Sequence, residues 1–115
     1  MLNTFLSDLK QQPSAIEFSQ TMKVIEANYQ FNETEFKNGD IVNKAGQNSG
    51  SCKIFAFAQL HQLSQAETLN LFGDYYRKDV LEHPEADDHQ NIRNFIQFGW
   101  QGIEFNGIAL SPKAD

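Results

Sequence analysis

The sequence predicts a mostly helical α+β domain, with about five helices and a small antiparallel sheet that includes a C-terminal hairpin. Three observations carry this. Apolar residues recur at helical spacing in stretch after stretch, two of those stretches open on capping boxes, and Asn106-Gly107 lies between two short apolar alternations. The 115 residues suffice for one domain and hardly two, so residues 1–115 read as a single unit.

Leu2, Phe5, Leu6 and Leu9 fall at i, i+3, i+4 and i+7, which predicts a first amphipathic helix ended by Pro13. Ser14 to Glu17 has the S-x-x-E form of a capping box. The helix it opens carries Phe18, Met22, Ile25 and Tyr29 as one buried stripe, with a short extended piece after it. Asn38-Gly39 signals a turn, and the Gly/Asn/Ser-rich stretch from Asn38 to Ser51 predicts a long loop. Ile54 to Leu63 is apolar on nearly every side, as a central buried helix must be. Ser64 to Glu67 is a second capping box, opening a helix with Leu69, Phe72, Tyr76 and Val80 on one face that Pro84 closes. Asp88 suits the N-cap of a last helix bearing Ile92, Phe95 and Ile96, and Gly99 suits its end. Ile103 to Phe105 and Ile108 to Leu110 then flank Asn106-Gly107 as a type I′ hairpin, pairing Phe105 with Ile108 and Ile103 with Leu110. Its apolar face needs helices or another strand, and Tyr29 to Phe36 is the expected partner.

Ten Phe, three Tyr and one Trp give so short a chain a large apolar payload. Nine Lys and Arg against fifteen Asp and Glu leave a net charge of -6, which argues against nucleic acid and anionic membrane surfaces as partners. One cysteine excludes an internal disulfide and an all-cysteine metal site. No apolar run is long enough to span a bilayer, and Asp8 and Lys10 interrupt any signal-peptide core, so a cytoplasmic location is expected.

Cys52 is the first candidate for chemistry. It sits just inside a predicted helix, beside Lys53, where unpaired N–H groups favour a thiolate. The competing reading is a buried, inert cysteine. His61 lies nine residues along the same helix, on its other side, and reads as a core histidine. His89 is the better imidazole partner for Cys52, beside the polar run Gln90-Asn91. The segment Gly46 to Lys53 fails the phosphate-loop spacing, and the papain-like Gly-Ser-Cys turn lacks an aromatic after the cysteine. His83, Glu85, Asp87, Asp88 and His89 match no metal motif and read as a solvated loop, so neither a metal nor a cofactor is expected. Arg77 and Arg93 are the only arginines, each between apolar neighbours in a predicted helix. They suit either a carboxylate such as Asp74 or Asp88, or an anionic ligand.

Taken together, Asn38-Gly39-Asp40, the run from Asn43 through Ala45-Gly46-Gln47-Asn48 to Gly50-Ser51-Cys52-Lys53, Phe72-Gly73-Asp74-Tyr75-Tyr76-Arg77 with Val80-Leu81, Asp88-His89-Gln90-Asn91-Ile92-Arg93-Asn94-Phe95 and Gly99-Trp100 resemble the HopJ type III effector family. The resemblance runs from about Phe18 to Leu110. It implies a small, mostly helical mixed fold, a bacterial source and, by the family name, delivery into host cells and a part in virulence. It supplies no reaction. Carried across by position, its polar residues are Asn43, Gln47, Asn48, Ser51, Cys52, Asp74, Tyr75, Arg77, His89, Asn91 and Arg93. Three readings follow. The preferred one is a binding or interaction domain with an unknown protein partner. The others are a small thiol enzyme using Cys52 with His89, and a small-anion module in which Arg77 and Arg93 meet a ligand near Gly46 to Ser51.

Overall fold

A computed structural model of the chain describes residues 1–113. Five α-helices and five short strands follow one another along them: α1 (Leu2–Gln11), α2 (Phe18–Asn28), β1 (Tyr29–Phe31), β2 (Phe36–Asn38), β3 (Ile41–Asn43), α3 (Ser49–Leu60), α4 (Gln65–Asn70), α5 (Gln90–Phe98), β4 (Ile103–Phe105) and β5 (Leu110–Pro112). A π-helical turn spans Tyr75–Val80. The α+β class read from the sequence is the observed one.

The first helix buries Phe5 and Leu9 from the predicted stripe. Pro13 does more than end it. With φ fixed, Pro13 starts a 3₁₀ turn that absorbs Ser14, and Ile16 then runs extended. The capping box therefore moves three residues on, to Glu17 and Gln20, where the Glu17 N–H donates to Gln20 Oε1 at 2.9 Å. Ser64 and Glu67 form the second box as expected, each side chain accepting from the other's backbone N–H. Those bonds hold the Glu67 carboxyl below its usual range.

The helix expected to run from Ser64 to Val80 is broken. After α4 the chain turns at Leu71 to Gly73, where Gly73 has φ +63°. Gly73 lies against the α2 start, and a Cβ there would come within 2.6 Å of the Phe18 nitrogen. Backbone meeting backbone forces the glycine, and the glycine ends the α-helix. The N-cap position of the last helix is held by His89, in the left-handed region, rather than by Asp88.

The predicted hairpin is the largest correction. Both C-terminal strands exist, but they do not pair with each other. β4 pairs antiparallel with β2, Phe36 opposite Phe105 and Asn38 opposite Ile103. β5 starts two residues later than expected and pairs with β1, Phe31 opposite Leu110. Two sheets result, β3-β2-β4 and β1-β5. The reason is burial. Phe105 stacks on Phe36 at 5.3 Å, and Leu110 is buried, whereas Ile108, which the hairpin would have placed beside Phe105, is 75% exposed. The expectation that Tyr29 to Phe36 supplies the strand partner holds for β1, whereas β2 enters that stretch only at Phe36. The Asn38-Gly39 turn is also real, but β3 and the early start of α3 reduce the long loop to residues 44–48.

The central helix α3 runs through the core, with Cys52 and Ile54 to Ala58 all buried. Phe55 touches Phe36, Phe72 and Phe95, with ring centroids 5.9, 5.6 and 5.0 Å away. Phe57 meets Phe5, Tyr29 and His61 on the other side. Each such ring is worth about 1.5–3 kcal/mol in burial, so this aromatic column is the main fastening between helices and sheet. His61 is hydrogen-bonded to the Tyr29 hydroxyl at 2.6 Å, and burial keeps both groups neutral, lowering the histidine and raising the tyrosine.

Candidate functional site

Alternation along β2 puts Asn38 on the same side as the buried Phe36, and the β2–β3 register puts Asn43 opposite Phe36. Both asparagines are fully buried. They meet Asn91, at the start of α5. Asn43 and Asn91 exchange paired amide hydrogen bonds at 3.1 and 3.0 Å. Asn38 Nδ2 donates to the Asn91 side-chain oxygen at 2.9 Å and to its carbonyl at 2.8 Å. Asn48 Nδ2 donates to Asn43 Oδ1 at 2.7 Å. Asn94 Nδ2 donates to the Asn38 carbonyl and to Asp40 Oδ1 at 2.9 and 2.7 Å. This amide seam locks the β2–β3 turn to the first turns of α3 and α5. Among the described residues Asn38 Oδ1 is the one fully buried side-chain nitrogen or oxygen without a hydrogen bond.

Above the seam lies a cleft of about 360 Å³. Its polar wall is Asn43, Asn48, Ser51, His89, Gln90 and Asn91, and its apolar wall is Phe18, Ile41, Phe72, Tyr75 and Ile92. The N-termini of α3 and α5 both open here. Their N-cap residues, Asn48 and His89, share nearly the same left-handed backbone angles, and neither side chain caps its helix. The free N–H groups of both first turns, with the aligned peptide dipoles behind them, offer donors to an anion at this end of the cleft, whose lining has no lysine or arginine. Gly50 brings α3 close: a Cβ there would lie 3.2 Å from the Phe18 ring.

His89 stands at the rim. Its Nε2 is 3.0 Å from Asp79 Oδ2 and 3.8 Å from Asp88 Oδ2, and its ring lies 5.1 Å from that of Tyr75. Tyr75 in turn meets Phe18 edge-on at 5.0 Å. Beyond this aromatic ridge is a second hollow of about 350 Å³, lined by Glu17, Ser19, Asp74 and Asp79 besides the two rings.

Of the residues singled out from sequence, Asn43, Asn48, Ser51, Tyr75, His89 and Asn91 come together around the cleft. Five do not. Gln47 Oε1 accepts from the Lys44 N–H at 3.1 Å in the exposed loop. Asp74 lines the second hollow and faces Lys78 and Arg77 at 3.7 and 3.9 Å. Arg77 binds the carbonyls of Pro13 and Ile16 and the Asn70 amide oxygen, stapling the 3₁₀ turn to α4. Arg93 donates to the Asp88 carbonyl at 2.6 Å and to its carboxylate at 2.7 Å, holding that carboxyl below its ordinary range. Both guanidinium groups are thus spent inside the fold, and the expected meeting of Arg77 and Arg93 at Gly46 to Ser51 is not formed. Cys52 follows the other reading, that of a buried cysteine. It is 1% exposed and does not line the cleft, and its thiol donates to the Thr34 carbonyl at 3.6 Å. Burial pushes the thiol up and outweighs Lys53. The structure therefore does not bring a thiolate to His89. Folded protein is expected to resist alkylation at Cys52 up to alkaline pH and to react promptly in denaturant. Fast labelling of the native state near neutral pH would contradict this placement.

Sequence reasoning missed Asn38, Asp79 and Asn94. Signals for two of these existed. Asn38 shares Phe36's side of a strand, and Asn91, Asn94 and Phe95 fall at helical spacing on one face. Among the described residues no three His, Cys, Asp or Glu side chains gather as metal ligands would. None of the described helices is long and apolar enough to cross a membrane.

Comparison with known proteins bears on the fold and the family. The crystal structure of VPA0580, a protein of unknown function, is 53% identical, superposes with a TM-score of 0.97, and the match covers 98% of this chain and 94% of that one. No curated protein matches the chain. The family model described as HopJ type III effector protein matches residues 2–110, so the chain belongs to the HopJ type III effector family.

Proposed function

We propose that the protein is a binding domain whose working surface is the cleft at the starts of α3 and α5, and that it takes a small ligand bearing a carboxylate or phosphate on an apolar body. One observation carries this reading. Three segments far apart in sequence, around Asn43 to Ser51, Phe72 to Tyr75 and His89 to Ile92, line one cleft, and two of them deliver uncapped helix N-termini to it. An anion there would accept backbone N–H bonds from both helices, and His89 could add a charge-assisted bond when protonated. The rings of Phe18, Phe72 and Tyr75 suit the rest of the ligand. The thiol-enzyme reading is weaker, because the sulfur does not line this space. The reading takes the producing cell's cytoplasm as the location, and type III delivery follows only from the family description.

Titration with phosphate, sulfate, acetate and benzoate, read by amide NMR and thermal shift, tests it. The amides of Gly50, Ser51, Gln90 and Asn91 are expected to move together, with stabilisation rising by mass action to about 2.7 kcal/mol at a hundredfold excess over Kd. Ser51→Glu, which puts a carboxylate in the mouth, should abolish both responses. If no anion moves these amides, the small-anion reading is lost and a protein partner becomes the better one.

A further inference from the structure

We propose that Asn106 is a site of spontaneous covalent modification, a slow conversion of its amide to an acid directed by Gly107, and that the fold shields the chain's other Asn-Gly pair, Asn38-Gly39, from the same reaction. The chemistry is intramolecular. The Gly107 backbone nitrogen gives up its proton and attacks Asn106 Cγ, so a new C–N bond forms. The bond from Cγ to the side-chain nitrogen breaks, and ammonia leaves. The resulting succinimide is opened by water at either carbonyl, giving aspartate or isoaspartate. Nothing is oxidised or reduced. A following glycine favours the attack because no Cβ crowds the nitrogen, and asparagine is among the residues least durable under prolonged warming.

Both pairs have this chemistry in sequence, and the structure separates them. Asn38 is 0% exposed, and its amide nitrogen is held by two acceptors on Asn91. The Gly39 nitrogen, which would be the nucleophile, donates to the Gly102 carbonyl at 2.9 Å. Attacker and leaving group are both committed, and water cannot reach the carbon. Asn106 and Gly107 are exposed, in the connection between two strands that belong to different sheets. Among the described residues the Gly107 N–H makes no hydrogen bond. The Asn106 side chain donates to Glu35 Oε2 at 2.7 Å, a surface pair that water competes for.

The product would matter locally. A carboxylate at position 106 would face Glu35, which already draws on Lys44 at 3.7 Å, and like charges there repel. Isoaspartate would also add a backbone atom between β4 and β5. The bond from the Asn32 N–H to the Ala109 carbonyl, at 2.8 Å, is the first contact downstream.

The test is peptide mapping by mass spectrometry after long incubation of folded protein in warm, mildly alkaline buffer, beside a sample in denaturant. Aspartate and isoaspartate are expected at position 106 at least an order of magnitude faster than at position 38 in the folded sample, with the two rates converging once the chain is unfolded. Gly107→Ala should slow the reaction at 106 and leave 38 alone. Equal rates in the folded protein would overturn the proposal. So would an intact Asn106 in folded protein under conditions that convert it in denaturant.

Discussion

Gly73→Ala is expected to destabilise the protein by roughly 2–4 kcal/mol, the sum of a left-handed backbone penalty and a forced close contact. Gly73 sits at φ +63°, and its added methyl would meet the Phe18 nitrogen at 2.6 Å and the Glu17 carbonyl carbon at 3.3 Å. A flexible side chain could swing away from such a clash. A backbone at a helix start cannot, because Glu17 is tied into its capping box and Arg77 binds the neighbouring Ile16 carbonyl. Relief would require α2 to shift and carry Phe18 with it, out of the wall of the cleft. A domain of this size has about 5–15 kcal/mol to lose, so the variant should unfold at distinctly lower urea and answer weakly to any cleft ligand. Gly107→Ala is the matched control. Its methyl would meet only the Thr34 methyl at 3.6 Å, an ordinary contact. Equal urea midpoints for the two variants would refute the packing described for Gly73.

The second large effect is expected at Asn91. Asn91→Ala strands Asn43 Nδ2, takes one of the two donors from Asn43 Oδ1, which keeps Asn48, and removes one of the two acceptors of Asn38. The one buried donor left without a partner costs about 1–3 kcal/mol and the two lost shared bonds add to it, so a loss of roughly 2–4 kcal/mol should appear in urea denaturation. Asn43→Ala should cost a similar amount. The double variant should lose clearly less than the two single losses together, because each single change already strands the other's amide. Strict additivity would show that the paired amides do not act as a unit. Asn91→Asp separates packing from polarity. It keeps the shape and can accept from Asn38 and Asn43, but it turns a donor into a buried negative charge facing Asn43 Oδ1. It should also lower affinity for anions in the cleft.

How much of this was legible in the residues depended on how local the cause was. The Ser64 box, the Phe5–Leu9 stripe and the buried central helix follow from spacings within a dozen residues, and they stand. The hairpin at Asn106-Gly107 is also a local signal, and a strong one, yet pairing went elsewhere. Glu35 accepts the Asn106 N–H at 3.0 Å, and Phe36 offers Phe105 a ring to stack on. Both competitors lie some seventy residues upstream, where no turn rule looks. The break at Gly73 has the same origin, since the glycine answers to α2 rather than to its own helix. At the site, the polar residues of the family pattern were named, but their partition was not. Nothing local tells that Arg77 is consumed by the carbonyls of Pro13 and Ile16, or that Cys52 turns inward while Ser51, one residue earlier, reaches the cleft. Buried asparagines were the hardest to see, because a turn residue and a strand-core residue look alike until the opposite strand is known.

Tyr29 lies opposite Pro112, and Asn38 opposite Ile103. Each sheet is therefore completed only when residues 103–112 dock, far along the chain from the strands they join. Until then β1 has no partner, β2 has only its hairpin neighbour, and the aromatic column around Phe55 lacks the lid that Phe105 puts over Phe36. Such long-range closure is slow. A chain cut before Ile103 would hold its helices near together but leave β1 and β2 with naked edges and the Phe36 ring uncovered, which is the kind of surface that chaperones seize.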